Sequence, residues 1–478
     1  MSNVSNHDNP ETRALRHAKA IADASGGKPT LRVIHPAGSI KNIGELPSVW
    51  AESTGVELEF VDVPGVDGLS TIELFNRVVE FAVENPDSFD VYSAMLKGMG
   101  DLVEGGVIQP VDEFVDAYEP ELGLGPCQIP GAVRGYGDYR GKRYGLILEA
   151  PLLSLYYRRD LVDDPVEQEA FEGRFGYALS PPATWDELSD HVAFFHRPGR
   201  GFHGMTSVRG DWSYFWYLQR AHGYGGVYFD DNLRPAITQE AWVRALEDMA
   251  RVASSHLSPG ADEWDWLDWY HDFCDGNAYA TFAWPSLAKY ANDPAFSKIV
   301  GKVGYGLPAA EIEGQAVAPS LYCIGHMWVV SSQSSLPELA YLWGQWNTSP
   351  TITQQAIVGT AGTLNPSRAC HHDDDAINDV YTPAYIDLSR ECFRACVPEL
   401  SIPGALRYLR ALNAGINDFY AGKLPTAQVT LEQVAQEWES ISGSLDTGTQ
   451  VAAYDWLKRL YPDDYRQVVG WHNQNIVS

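Results

Sequence analysis

"DFCDGNAYATFAWPS" (residues 272–286) decides how the chain is read. A Gly just past a helix is the usual left-handed cap, so Asp275-Gly276 predicts a helix end. Alternation then takes over. Tyr279, Thr281 and Ala283 fall on one face and Ala280, Phe282 and Trp284 on the other, the period of a strand. Pro285-Ser286 opens another helix, with "SLAKYA" behind it. Trp284 therefore stands at the carboxyl end of a strand in an α/β layer, where open α/β sheets place their ligands.

The same grammar extends outward. "TLRVIH" (30–35), "VELEFVDV" (56–63) and "FDVYSA" (89–94) read as strands. Between them lie helices over "ELPSVWAESTG" (45–55) and "STIELFNRVVEFAVEN" (70–85). That β-α-β-α-β order predicts a parallel sheet covered by helices. "RGKRYGLILEAPLLSLYYRRDLV" (140–162) stays strand-like for too long to be one element, and reads as a crossing into a second α/β unit. That unit opens on the capping box Thr184 and Glu187, and its helix "TQEAWVRALEDMARV" sets Trp242, Ala245, Leu246 and Met249 on one face. Strands near 302–307 and 322–331 follow, then mainly helix to about 460.

Composition narrows the function. The 478 residues carry a formal net charge of −29, which argues against nucleic acid because phosphate binding needs a basic face. Fifteen Trp and 25 Tyr supply flat amphipathic rings beyond what a core needs, and these suit stacking on sugars. The six Cys (127, 274, 323, 370, 392, 396) form no C-x-x-C pair and read as buried or idle thiols, with Cys392 and Cys396 on one helix face. No run approaches the roughly 18 apolar residues of a membrane helix. The polar start, residues 1–29, lacks the apolar segment of a secretory signal.

Chemical motifs are sparse. "GRGFHG" (199–204) has G-x-G-x-x-G spacing, but follows a helix and precedes a strand, so it reads as a turn. "ACHHDDD" (369–375) reads as a solvated loop rather than a metal site. Tyr156-Tyr157 point to opposite faces of a strand. G-x-S-x-G, H-E-x-x-H and P-loop patterns do not occur, and no cofactor is implied. What remains is a set of polar and aromatic residues at strand ends and loops: Gly38, Ser39, Tyr92, Ser93, Glu149, Asp211, Trp212, Trp284 and Arg368. Charged groups there can bond hydroxyls, and indole faces can cover the apolar side of a sugar ring.

Six segments, in order, resemble the family 1 extracellular solute-binding proteins, the maltose-binding-protein-like sugar receptors of bacterial ABC importers. They are "VWAESTGVELEFV", "DSFDVYSAMLKGMGDLVEGGVIQPVDEFV", "GKRYGLILEAPLLSLYYRRDLV", "PPATWDEL", "DFCDGNAYATFAW" and "FYAGKLPTAQVTLEQVAQEW", and together they span roughly residues 30 to 440. The resemblance implies a periplasmic-binding-protein-like type II fold, two α/β lobes closing by hinge bending on a carbohydrate or sugar-like polyol. It implies lobe 1 over 30–150 and about 320–370, and lobe 2 over 151–319 and about 371–440. A polar segment (1–29) precedes them and a helical extension (441–478) follows. It places Trp284 on the cleft wall of the second lobe, Glu149 on sugar hydroxyls, and Asp211-Trp212 in a polar-aromatic ligand loop. His326 and Trp328 in "CIGHMWVV" depart from the small residues frequent there, and His326 joins the candidate set.

By resemblance the protein is a monomeric receptor, not an enzyme, with ABC permease subunits as partners if exported. Its place would be the periplasm or cell surface, although without an export signal a cytoplasmic location stays open. Two other functions also stay open: a cytosolic ligand sensor, and an enzyme on the same scaffold. The enzyme would be thiaminase-like, with Cys127 in "GPCQIPG" as nucleophile.

Overall fold

The computed structural model describes residues 10–35, 44–118, 127, 129–307, 310–312, 315–316, 319–359 and 364–471. They fall into two compact units. The first takes the residues up to Pro151, with Ile324–Asn378 and Ser401–Ala405; the second takes Leu152–Cys323, Asp379–Leu400 and the residues from Leu406 onward.

In the first unit, Glu57–Phe60, Thr30–Ile34 and Val91–Met95 lie side by side in parallel, as β-α-β-α-β order requires. The sheet as a whole is mixed, which corrects the parallel expectation. His326–Ser331 runs antiparallel to Val91–Met95, Ile108–Gln109 and Gly145–Glu149. This strand arrives from far along the chain, so local order could not reveal its direction. The flanking helices begin and end where the sequence signals it. Leu46–Thr54 stops at Gly55, whose φ of 78° lies in the left-handed region. Thr71–Glu84 starts at Ser70, whose hydroxyl accepts the Glu73 N–H.

The segment read only as polar holds a helix, Pro10–Ala24. Ala14, Ala18 and Ala22 make its buried stripe, and it packs on the helix Pro337–Asn347. Methyl groups every fourth residue are too faint a hydrophobic signal among so many polar neighbours to be read in advance.

In the second unit the sheet order is Val303–Gly306, Ser154–Arg158, Ala278–Ala283, His203–Met205. Ala278–Ala283 is buried on both faces. On one face Trp269 of the helix Trp266–Cys274 donates its indole N–H to the Thr281 hydroxyl at 2.8 Å. On the other, Trp185 of the helix Trp185–Phe195 lies 5.2 Å from Phe282. The capping box of Thr184 and Glu187 forms as expected. "GRGFHG" is a turn, with Gly201 in the left-handed region. The C-terminal helices Thr447–Arg459 and Asp463–Val468 belong to this unit: Tyr454 bonds the Phe229 carbonyl and Tyr465 the Gly226 carbonyl.

Three local expectations are corrected. Cys127 and Cys370 are not idle thiols but a disulfide within the first unit, closing a span of 243 residues. Cys392 and Cys396 do not share a helix face, because the helix ends at Arg394 and Cys396 starts a short strand. "ACHHDDD" is not a solvated loop, since His371 and His372 are buried in a short helix and His371 Nε2 lies 3.0 Å from the Thr353 hydroxyl. The three consecutive Asp hid that burial. Among the described residues no helix is long and apolar enough to cross a membrane.

A cross-link over so long a span restricts the unfolded chain, so Cys127→Ser/Cys370→Ser should lose on the order of 2–5 kcal/mol of stability. Melting curves with and without a thiol reductant test this. Wild type should fall to the level of the double variant when reduced, and a melting temperature indifferent to reductant would contradict the assignment.

Candidate functional site

Each unit holds its own group of candidate residues. In the first, the strand Gly145–Glu149 pairs with His326–Ser331 through a bulge: His326 faces Glu149, while the next residue, Met327, already faces Ile147. The extra residue turns the end of the strand and puts Glu149 beside His326. Gly325 permits this closeness, since a Cβ there would lie 1.9 Å from the Tyr136 ring and 2.9 Å from the Glu149 carbonyl oxygen.

The result is a buried polar cluster. His326 Nε2 lies 3.8 Å from Glu149 Oε1, and His326 Nδ1 lies 3.5 Å from the Ser93 hydroxyl. Asn365 donates from Nδ2 to Glu149 Oε2 at 3.0 Å. Burial raises the Glu149 carboxyl to about 8 against the downward pull of the Asn365 bond. Burial, helped by His35, lowers the His326 imidazole to about 3. The short separation invites the label of ion pair, but desolvation dominates both partners, and near neutral pH they form an uncharged acid–imidazole pair.

In the second unit Trp284 follows the strand Ala278–Ala283 directly and is 7% exposed. Its ring sits 5.2 Å from Trp212, 5.6 Å from Trp216, 5.7 Å from Trp269 and 5.9 Å from Phe215. Its N–H points at Cys323 Sγ, 3.3 Å away, and its carbonyl accepts the Tyr156 hydroxyl at 2.9 Å. Trp212 donates its N–H to Asp265 at 3.1 Å. Asp211 is half-buried beside it in the turn Gly210–Trp212.

The structure thus brings Ser93, Glu149 and His326 together in one unit, and Asp211, Trp212 and Trp284 together in the other. Two candidates sit elsewhere. The Tyr92 ring turns to the opposite face of its strand, 5.9 Å from Phe89, and its hydroxyl is buried with no hydrogen-bond partner among the described residues. Arg368 is buried and donates to the Thr348 carbonyl, in the role of a structural brace. Gly38 and Ser39 lie outside the described residues. Sequence reasoning missed Asn365, Trp216 and Trp269. The spacing of Trp266 and Trp269 in "WLDWYHDFC" is helical and could have flagged Trp269. Asn365, in a loop, carries no periodic signal.

Among the described residues no group of His, Cys, Asp and Glu could hold a metal ion. With Cys127 bonded to Cys370, the proposed thiol nucleophile is gone.

The first unit thus holds an uncharged polar cluster, and the second an indole at a strand's carboxyl end. Residues 73–383 match the model of the bacterial extracellular solute-binding proteins, and the chain belongs to that family. It is a binding protein of the type II fold, not an enzyme.

A mannitol-binding protein of Pseudomonas aeruginosa is 22% identical over 263 residues, 54% of this chain. The match spans only 55% of that relative's length. An ABC transporter solute-binding protein from Agrobacterium radiobacter, solved with ribitol, is similar with a TM-score of 0.70 at 20% identity, over 86% of this chain and 98% of that one. Another from Agrobacterium vitis, with D-mannitol bound, gives 0.70 at 16% identity, over 87% of this chain and 99% of that one. At these identities the likeness establishes the fold.

The uncharged state of Glu149 sets a pH dependence. Its value rises from the ordinary 4.5 to about 8 on folding, so its contribution is complete at pH below 4.5 and is lost as pH rises toward 8. His326 slopes the other way, its contribution being lost as pH falls from 6.5 toward 3. Glu149→Gln, permanently neutral, should therefore gain on wild type between pH 5 and pH 9, by on the order of a few kcal/mol at the alkaline end. Urea melts of both proteins across that range provide the comparison. Parallel profiles would mean that Glu149 titrates like an exposed carboxyl.

Proposed function

We propose that the protein is the receptor of an ABC importer and binds a polyol or small sugar. The observation that carries this reading is the cluster of Glu149, His326, Asn365 and Ser93. Burial strips both titratable members of charge, leaving alternating donors and acceptors without a net charge to attract an ion. Neutral donors and acceptors of this kind match vicinal hydroxyls, which both give and accept hydrogen bonds. The Trp284 group supplies the complementary apolar wall for ring or chain carbons. Ribitol and D-mannitol, the ligands of the two Agrobacterium structures, belong to the same chemical class.

Export is part of the proposal. A disulfide such as Cys127–Cys370 forms and persists in oxidising compartments, which supports a periplasmic or cell-surface location. Permease subunits would then be its protein partners and a monomer its working state.

Thermal shift and calorimetry against D-mannitol, ribitol, other polyols, monosaccharides and charged analogues such as gluconate test the ligand class. A neutral polyhydroxylated hit should raise the melting temperature by mass action. Trp284→Ala should weaken that hit by about 2 kcal/mol or more, as for a buried aromatic anchor. It should also melt earlier, because the ring's packing and its contact with Cys323 are lost. A panel that responds only to amines or to anionic sugars would overturn the polyol reading. A folded Trp284→Ala with unchanged affinity would remove Trp284 from the site.

A further inference from the structure

A second feature lies wholly within the second unit. A cavity of about 50 Å³ opens between the helices Ser213–Gly223 and Glu240–Ser255 and the sheet edge near Met205. Trp216, Phe282, Met249 and Val252 contribute apolar walls. Into this lining come two guanidinium groups, of Arg220 and Arg209.

Arg220 is 4% exposed, and its carbon Cζ lies 4.2 Å over the Trp185 ring. Its Nη1 is buried with no hydrogen-bond partner among the described residues, and no ion pair is formed by it among them. Asp248, the carboxylate whose field reaches it, is already bonded to the Tyr224 hydroxyl and to Arg251. Arg209 is neutralised by Asp262, yet its Nε is also buried without a partner among the described residues. A buried charge normally requires compensation, and a cation–π contact with one indole replaces only part of the lost hydration. The chain as a whole is strongly acidic, so an uncompensated buried cation is a local design, not a reflection of bulk charge.

We propose that this cavity is a binding site for a small aliphatic monocarboxylate, distinct from the Glu149–His326 cluster of the first unit. Its carboxylate would accept from Arg220 and from Arg209 Nε, and its alkyl tail would lie against Trp216, Phe282 and Val252. One uncompensated positive charge selects a monoanion over phosphate or a dicarboxylate. The apolar walls select an alkyl tail over a hydroxylated one. The volume has room for a few waters, which suits an acetate- to butyrate-sized ligand.

The test uses the full chain with sodium acetate, propionate and butyrate, against sodium chloride at matched ionic strength. Melting temperature and tryptophan fluorescence are the readouts, since Trp185 and Trp216 line the cavity. The expected result is saturable binding in the millimolar range or tighter, a rise in melting temperature, and no competition with a bound polyol. Arg220→Met should weaken it about tenfold or more, the loss of a charge-assisted pair. Ala253→Phe, which fills the cavity from the helix Glu240–Ser255 and leaves Arg220 in place, should abolish it even if the arginine variant fails to fold. No saturable response to any of the three carboxylates, an equal response to chloride, or wild-type propionate binding in folded Ala253→Phe would each overturn the assignment.

Discussion

The backbone ladder of His326–Ser331 is the constraint on which the first unit depends. This one strand is hydrogen-bonded to Val91–Met95, Ile108–Gln109 and Gly145–Glu149, segments separated from it by about two hundred residues of sequence. Its Trp328 is buried, donates to Asn347 at 2.6 Å, and meets Trp343 at 5.6 Å, so ladder and aromatic core reinforce each other. The bulge opposite His326 then decides which side chain reaches the imidazole. A regular register would turn Glu149 to the other face, because side chains alternate along a strand. One inserted residue thus converts a sheet edge into a polar cluster.

Desolvation does the rest. Carboxyl and imidazole at 3.8 Å in water would share a proton as an ion pair, but inside this unit the cost of two buried charges exceeds their attraction. The cluster is consequently a set of neutral donors and acceptors. The second unit follows the same economy with apolar groups: four aromatic rings surround Trp284, and its one polar atom is directed to a sulfur. Arg220 departs from that pattern as a buried cation facing apolar walls.

Much of this was legible in the chain itself. Gly276, with φ of 82°, and the alternation that follows it located the strand that Trp284 closes. Ser70, Thr184 and Gly55 marked helix ends because capping is a local interaction. The antiparallel direction of His326–Ser331, the Cys127–Cys370 bond and the partnership of Asn365 with Glu149 are contacts across hundreds of residues, and no local periodicity encodes them. Tyr92 and Ser93 are neighbours in one strand, so as candidates for a single site they compete. Strand alternation turns them to opposite faces, and the structure sends the Tyr92 ring toward Phe89.

The most direct measurement is a crystal structure grown with D-mannitol or ribitol. Ligand hydroxyls should lie within hydrogen-bond distance of Glu149, His326 and Asn365, and ligand carbons against the Trp284 indole. Density for the polyol elsewhere, with those four side chains untouched, would contradict this assignment.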